Sequence, residues 1–257
     1  MNTVYIKNLA IGEGKPKICI PICGKTKADI LNEAENILKL PADIIEWRAD
    51  WYEEIFDPAA VGDSLAALRA VIGEMPLLFT FRSVQEGGEK GISPQKYMEL
   101  AQLVCESGMI DALDVELFMD SKINPMIVDM AHQHQIVIIA SNHDFRKTPE
   151  KDELTRRMIL MDEMGADILK VAVMPKSKTD VLELLSATEE MGRLYTEKPV
   201  ITMSMGPMGL ISRLAGEVFG SVLTFGAGEK ASAPGQISAR QLEMVLNTIH
   251  DNMGGEL

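Results

Sequence analysis

Apolar, β-branched runs recur along the chain, beginning near Lys17 (KICIPI), Asp43 (DIIEWR), Pro76 (PLLFTFR), Asp111 (DALDVEL), Gln135 (QIVIIAS), Ala166 (ADILKVAV), Pro199 (PVITMSM) and Ser221 (SVLTFG). Short continuous runs of this kind predict strands buried on both faces. Between them apolar residues fall at spacings of three and four, as in ADILNEAENILKL, PAAVGDSLAALRAVIG and TPEKDELTRRMILMDEMG, which predicts helices. Gly73, Gly108, Gly165 and Gly192 stand where those helices should stop, as left-handed caps. Eight strand-helix units joined by short connections predict a parallel sheet closed into a (β/α)8 TIM barrel. The alternative, an open doubly wound sheet, usually carries a glycine-rich turn after its first strand, and ICGKT is not GxGxxG. Residues 1–16 do not fit the repeat and predict a β-hairpin, turning at Gly12 to Gly14, that closes the bottom of the barrel.

Length and composition agree with that picture. A chain of 257 residues, 46% hydrophobic, with no linker or low-complexity tract, predicts one domain over residues 1–257. The formal net charge is −13 and the Lys and Arg residues are dispersed, a field that repels nucleic acid and anionic membranes. An anionic substrate must then be held by a few arginines aimed into a pocket. No apolar run reaches the length of a membrane span and MNTVYIKNLA lacks the apolar core of a signal peptide, so the expected location is the cytoplasm. Three cysteines are an odd, sparse set, and Cys19 and Cys23 lie too far apart along one strand to bridge, so reduced thiols are expected. His132 and His134 have no third ligand at a suitable spacing and read as surface residues at a helix end.

Charged residues are costly on barrel strands unless the inner face opens to a site. Period-two alternation puts Ile44, Glu46 and Arg48 on one face, and Ile45 and Trp47 on the other. Arg82 ends the third strand, Asp114 and Glu116 share a face of the fourth, His143 follows the fifth, and Lys170 lies within the sixth. Most stand at carboxyl ends of strands, where barrel enzymes carry their catalytic groups. Each also has a bland reading: Glu46 and Arg48 neutralising one another, Arg82 capping a strand, Asp114 a buried structural carboxylate. Lys170 in ILKVAV is either a buried lysine without a carboxylate partner, partly neutral and nucleophilic, or one locked in an ion pair with Glu46, Asp114 or Glu116. His143 in SNHDF is either a core hydrogen bonder or a base, with Glu86 of RSVQEGGEK available to orient its ring. An imine-forming lysine and a base in one pocket describe proton abstraction next to a carbonyl. Arg213 lies in MSMGPMGLISRL, and FGAGEKASAPGQIS is a small-residue loop able to fold over a ligand; Met203 and Met205 read as core filling. Loops in these places often bind phosphate in barrels, which keeps a phosphorylated substrate in view.

Taken together, EWRAD (Glu46, Arg48), FTFRS with EGG (Arg82, Glu86), SNHDF (His143), ILKVAVMP (Lys170), TMSM (Met203, Met205), ISRLAGEVFGS (Arg213) and KASAPGQIS (Ser232, Gln236) resemble type I 3-dehydroquinate dehydratase of the shikimate pathway. The resemblance runs from the N-terminal hairpin to the last helix. It implies a Schiff base between Lys170 and the C3 ketone of 3-dehydroquinate, with His143 taking a proton from C2 and returning it to the departing C1 hydroxyl. It implies substrate contacts from Glu46, Arg48, Arg82, Arg213, Ser232 and Gln236, with Arg213 on the carboxylate; the loop over 226–237, with Gly226, Gly228 and Gly235 permitting movement, is expected to be open without ligand and to close with it. The resemblance implies no metal or organic cofactor, and a homodimer. The chain departs from the pattern at Pro21, where some members carry a hydroxyl residue, and at Glu229, where loop charge varies.

Two other readings compete. A class I aldolase shares the barrel and the imine lysine but acts on sugar phosphates; SNHDF with Glu86 and KASAPGQ favour the dehydratase. A non-catalytic sensor for a shikimate-type ligand would be expected to lose Lys170 or His143, and both are present.

Overall fold

The computed structural model describes residues 1–228 and 235–253. Two short strands come first, β1 (Val4–Ile6) and β2 (Leu9–Ile11), paired antiparallel. There follow β3 (Lys17–Ile22), α1 (Lys27–Ile37), β4 (Ile44–Arg48), α2 (Pro58–Ile72), β5 (Leu77–Thr80), α3 (Pro94–Glu106), β6 (Ala112–Glu116) and α4 (Ile123–Gln133). The chain continues with β7 (Val137–Asp144), α5 (Lys151–Glu163), β8 (Ile168–Val173), α6 (Lys178–Glu190), β9 (Val200–Ser204), α7 (Leu210–Leu214), α8 (Gly216–Phe219), β10 (Leu223–Phe225) and α9 (Ala239–Asn252). The eight strands β3 to β10 form one parallel sheet in the order β10-β3-β4-β5-β6-β7-β8-β9. Its open edges meet where the Val222 N–H donates to the Val200 carbonyl at 3.0 Å, which closes the TIM barrel.

The alternation read from the sequence decides which side chains face inward. Ile45 and Trp47 pack outward against helices, Trp47 edge-on to Phe79 at 5.4 Å between ring centroids, while Ile44 faces the interior. In chain direction the inward positions pass from apolar to polar: Ile44, Glu46, Arg48; Leu78, Thr80, Arg82; Ala112, Asp114, Glu116; Ile139, Ser141, His143. The amino ends of the strands thus make a dry floor and the carboxyl ends a polar mouth.

The hairpin covers that floor. Ile6 and Ile11 are buried against Cys19, Ile44, Leu78, Ala112, Ile139 and Ile168, a burial that contributes roughly 1.5–3 kcal/mol for each isoleucine. Its turn, however, is at Lys7 and Asn8, with Lys7 at φ 53°, rather than at Gly12 to Gly14. To send both Ile6 and Ile11 into the floor, the turn must fall between them, and the glycines serve instead as the connector into β3. Gly73, Gly108 and Gly165 do stop their helices at positive φ, 55°, 64° and 91°, but Gly73, at ψ −118°, lies outside the left-handed helical region expected of it. Gly192 is not a cap: it lies in a π-helical turn, Met191–Tyr195, that prolongs α6. Strand ends also differ from expectation, since β5 stops at Thr80, before Arg82, and β7 runs through His143. Cys19, Cys23 and Cys105 are free thiols, and His132 and His134 are exposed at the end of α4. Among the described residues no helix is long and apolar enough to cross a membrane.

Candidate active site

A cavity of about 220 Å³ opens at the carboxyl ends of the strands. Of the candidate residues named from the sequence, Glu46, Arg48, Arg82, Glu86, His143, Lys170, Met203, Met205, Arg213 and Gln236 line it, while Asp114 and Glu116 stand behind it. Ser232 and Glu229 lie outside the described residues. Trp51, Phe145 and Phe225 also face the cavity, and the sequence had not singled them out.

Lys170 comes from the middle of β8 and is 3% exposed. The expectation of a lysine without a carboxylate partner is overturned. Its Nζ sits 3.2 Å from Asp114 Oδ2 and 3.8 Å from Glu46 Oε1, and 4.6 Å from the centroid of the Phe225 ring. Three strands, β4, β6 and β8, therefore deliver one ion cluster, which the inward register of each makes unavoidable. Glu46 accepts from Thr80 Oγ1 at 2.8 Å, and it does not neutralise Arg48. Arg48 is instead forked onto Asp50, at 2.9 and 3.0 Å; burial acts to lower the guanidinium, but Asp50 together with the charge of Glu46 outweighs it and raises it.

Arg82 is the hub of the far wall. It donates to Asp114 at 2.7 Å, Glu116 at 2.9 Å, Ser141 at 3.0 Å and Glu86 at 3.4 Å. A wholly buried cation needs such partners. Burial acts to raise the Asp114 carboxyl, but Arg82, Lys170 and Ser141 outweigh it and hold Asp114 below the usual carboxylate value.

Glu86 sits in the turn after Arg82, accepts from the backbone N–H of His143 at 2.8 Å and lies 2.9 Å from the ring Nδ1. Gly87 and Gly88 allow that approach: a Cβ on Gly88 would collide with the Arg82 carbonyl, and one on Gly87 with the Phe145 ring. Burial pushes Glu86 up to about 8 despite Arg82. Burial, then the cations Arg82, Lys170 and Arg48, push His143 well below its ordinary value, which makes it a neutral imidazole at pH 7. With Nδ1 on Glu86, the remaining ring nitrogen, Nε2, is the one available to take a proton.

On the opposite wall, Arg213 is 1% exposed at the end of α7, its guanidinium 3.7 Å from Met203 Sδ, and burial lowers it to about 10. Gln236 reaches the cavity just after Gly235, which lies against the backbone of Gly206 at the end of β9. Among the polar residues that the sequence reading missed is Asp50. It ends the same EWRAD motif but sits on a 3-10 turn, Ala49–Trp51, where strand alternation gives no direction. Among the described residues no cluster of three His, Cys, Asp or Glu side chains is arranged to hold a metal ion.

Comparison with known proteins is consistent along the chain. The family described as Type I 3-dehydroquinase matches residues 18–253. A 3-dehydroquinate dehydratase of Clostridioides difficile (strain 630) is 51% identical over 250 residues, 97% of this chain and 98% of that protein. One from Listeria welshimeri is 50% identical, covering 97% and 99%. The crystal structure of type I 3-dehydroquinate dehydratase from Clostridium difficile with covalently modified comenic acid superposes with a TM-score of 0.95, at 51% identity and 98% coverage of each chain.

Proposed function

The chain belongs to the type I 3-dehydroquinase family, and we propose that it dehydrates 3-dehydroquinate to 3-dehydroshikimate through an imine on Lys170, with His143 carrying the protons. It is a hydro-lyase of the shikimate pathway. The observation that carries the mechanism is one cavity holding a lysine ringed by carboxylates and a neutral histidine fixed through Nδ1.

In the proposed sequence, Lys170 Nζ adds to the C3 carbonyl and water leaves, giving an iminium. The proton that the ammonium must shed passes by way of the adjacent carboxylates to the carbinolamine oxygen, which departs as that water and leaves Asp114 and Glu46 ionised. The iminium carries its charge on the same nitrogen, so those two carboxylates and the Phe225 ring remain set to meet it. The iminium acidifies C2, and His143 Nε2 takes a proton there, leaving an enamine. The enamine electrons return to expel the C1 hydroxyl, which His143 protonates, so water departs and a conjugated iminium remains. Hydrolysis then frees product and Lys170. Arg213 anchors the substrate carboxylate, while Glu46, Arg48, Arg82, Ser232 and Gln236 meet its oxygens and Met203 and Met205 line the apolar wall. We further propose a single domain over residues 1–257, acting in the cytoplasm as a homodimer; family likeness is the support for these.

Borohydride tests the chemistry, because an imine is reducible and a hydrogen-bonded ketone is not. Substrate plus borohydride should leave an adduct on the peptide carrying Lys170, absent in Lys170→Ala. In His143→Ala the adduct should still form while turnover falls by roughly 10²-fold or more. An adduct on Lys176 or Lys230, or none at all, removes the mechanism.

A further inference from the structure

Outside the cavity, a chain of side chains runs from α5 to the base. Arg157, on α5, donates from NH1 to Asn142 Oδ1 at 2.7 Å. Asn142, 4% exposed on β7, donates from Nδ2 to Glu86 Oε1 at 2.8 Å. Glu86 Oε2 then meets His143 twice, at the backbone N–H and at ring Nδ1. Neither Arg157 nor Asn142 lines the cavity.

The direction of every bond in this chain follows from its first member. A guanidinium has donors and no acceptor, so the Asn142 atom facing Arg157 must be oxygen. The amide flip is thereby settled, and its NH₂ must face Glu86. Glu86 Oε1 can only accept there, and Oε2 already faces the His143 backbone N–H and, at 3.4 Å, Arg82. Donors thus surround the carboxylate. While Glu86 is ionised, the ring Nδ1 must supply the hydrogen at its 2.9 Å contact, which leaves the lone pair on Nε2, toward the cavity. We infer that Arg157 is a positioning residue that sets the tautomer of His143 by locking the Asn142 amide, and so keeps Glu86 an acceptor.

The surroundings explain why such a lock is needed. Burial drives Glu86 toward its protonated form, at about 8, with Glu116 and Asp114 adding to it and Arg82 and the Asn142 hydrogen bond opposing. A protonated Glu86 could donate to Nδ1 and hand the hydrogen to Nε2, the wrong nitrogen for a base. The charges facing His143 itself are Arg82, Lys170, Arg48 and Glu86, and none of them selects between the ring nitrogens except Glu86. Arg157 is in turn held by Glu153 at 2.8 Å, with Asp144 at 3.9 Å, and its guanidinium lies 5.7 Å from the Phe118 ring centroid.

The tautomer half of this inference is independent of the proposed reaction; only its kinetic half rests on it. Both can be read on the full chain. With ¹⁵N-labelled histidine, and His143 assigned among the four by a His143→Gln control, the ring shifts report which nitrogen carries hydrogen. At pH 9, where Glu86 is mostly ionised, His143 should be protonated at Nδ1 in the parent. Arg157→Met, which keeps the stem over Phe118, should give a mixed or exchanging signal, and Arg157→Lys, which keeps a donor, should restore the parent pattern. Asn142→Leu removes the donor to Glu86 directly and should match Arg157→Met if either variant alone folds poorly. Kinetically, losing that hydrogen bond raises Glu86, so the acid limb of kcat should move up by about half to one pH unit. Turnover at pH 7 should then fall roughly 3- to 10-fold and recover at pH 9 to 10. A parent His143 protonated at Nε2, or a folded Arg157→Met with the parent tautomer and an unmoved acid limb, overturns the inference. A parent that does not turn over dehydroquinate fails the proposed function and leaves the spectroscopic test to decide this one.

Discussion

A histidine can take a proton only as the free base, and at His143 two opposed shifts decide when that holds. The ring itself is pushed well below 6.5 by burial and nearby cations, so it stays neutral through ordinary acidity, while the Glu86 that orients it is raised to about 8. As pH falls, Glu86 is then the first of the pair to gain a proton, and the acid limb of kcat belongs to it. Glu86→Gln cannot be protonated. The expected result, from kcat measured between pH 5 and 10, is a lower plateau with the acid limb moved to lower pH, toward the histidine's own titration. An unmoved limb would assign it to another group. The candidate residues were legible in the sequence because charge inside an apolar strand has no inexpensive explanation: Glu46, Arg48 and Lys170 stood out on that ground. Their partners were not legible. Three inward carboxylates, Glu46, Asp114 and Glu116, were each available to Lys170, and only the barrel's register brings Asp114 to 3.2 Å. The same limit hid Asp50, since a residue on a turn has no periodicity from which to read its direction.

At the level of elements, the split between an apolar floor and a polar mouth separates what stabilises the barrel from what works in it. All eight barrel strands lie within or beside the runs read from the sequence, because a strand buried on both faces is a long apolar word that few other structures produce. The hairpin was legible as an element and misplaced in its turn. Glycine is the stronger local signal, yet burying Ile6 and Ile11 together fixed the turn at Lys7 and Asn8. Gly192 failed as a cap for a related reason: α6 is carried past it by the buried Met191, and side-chain burial outranked the local preference. Since the hairpin touches only the floor, its energetics should be separable from catalysis. Ile11→Ala removes a fully buried side chain from a packed layer and should lower stability by about 2–5 kcal/mol, seen as a lower urea midpoint with unchanged slope. Its kcat should stay within about twofold of the parent, because 1 Å errors that matter to chemistry arise at the mouth. A large fall in kcat with little change in the midpoint would mean that the floor shapes the site after all.

Across the whole molecule the charge balance opposes the proposed substrate, since a chain of net −13 must admit an anion. Nor is the cavity a simple cationic funnel. Arg48, Arg82 and Lys170 each already sit on carboxylates, at Asp50, at Asp114 with Glu116, and at Asp114 with Glu46, and Glu89 lies on the rim. The attraction for a substrate carboxylate is therefore short-ranged and confined to the cavity, whereas the repulsion is long-ranged and comes from the surface. Salt treats the two differently. The Debye length falls from about 30 Å at 0.01 M to about 8 Å at 0.15 M, which screens exposed charges and leaves a buried guanidinium nearly untouched. Raising ionic strength over that range should thus increase kcat/KM for dehydroquinate, by roughly twofold, through a lower KM at constant kcat, because a bound substrate no longer feels the approach. The measurement needs two salts with different anions, since an anion that competes at Arg213 raises KM in proportion to its own affinity instead of to ionic strength. A kcat/KM that falls with both salts alike would show that the mouth attracts anions at long range, and that the net charge of the surface is not what the substrate meets.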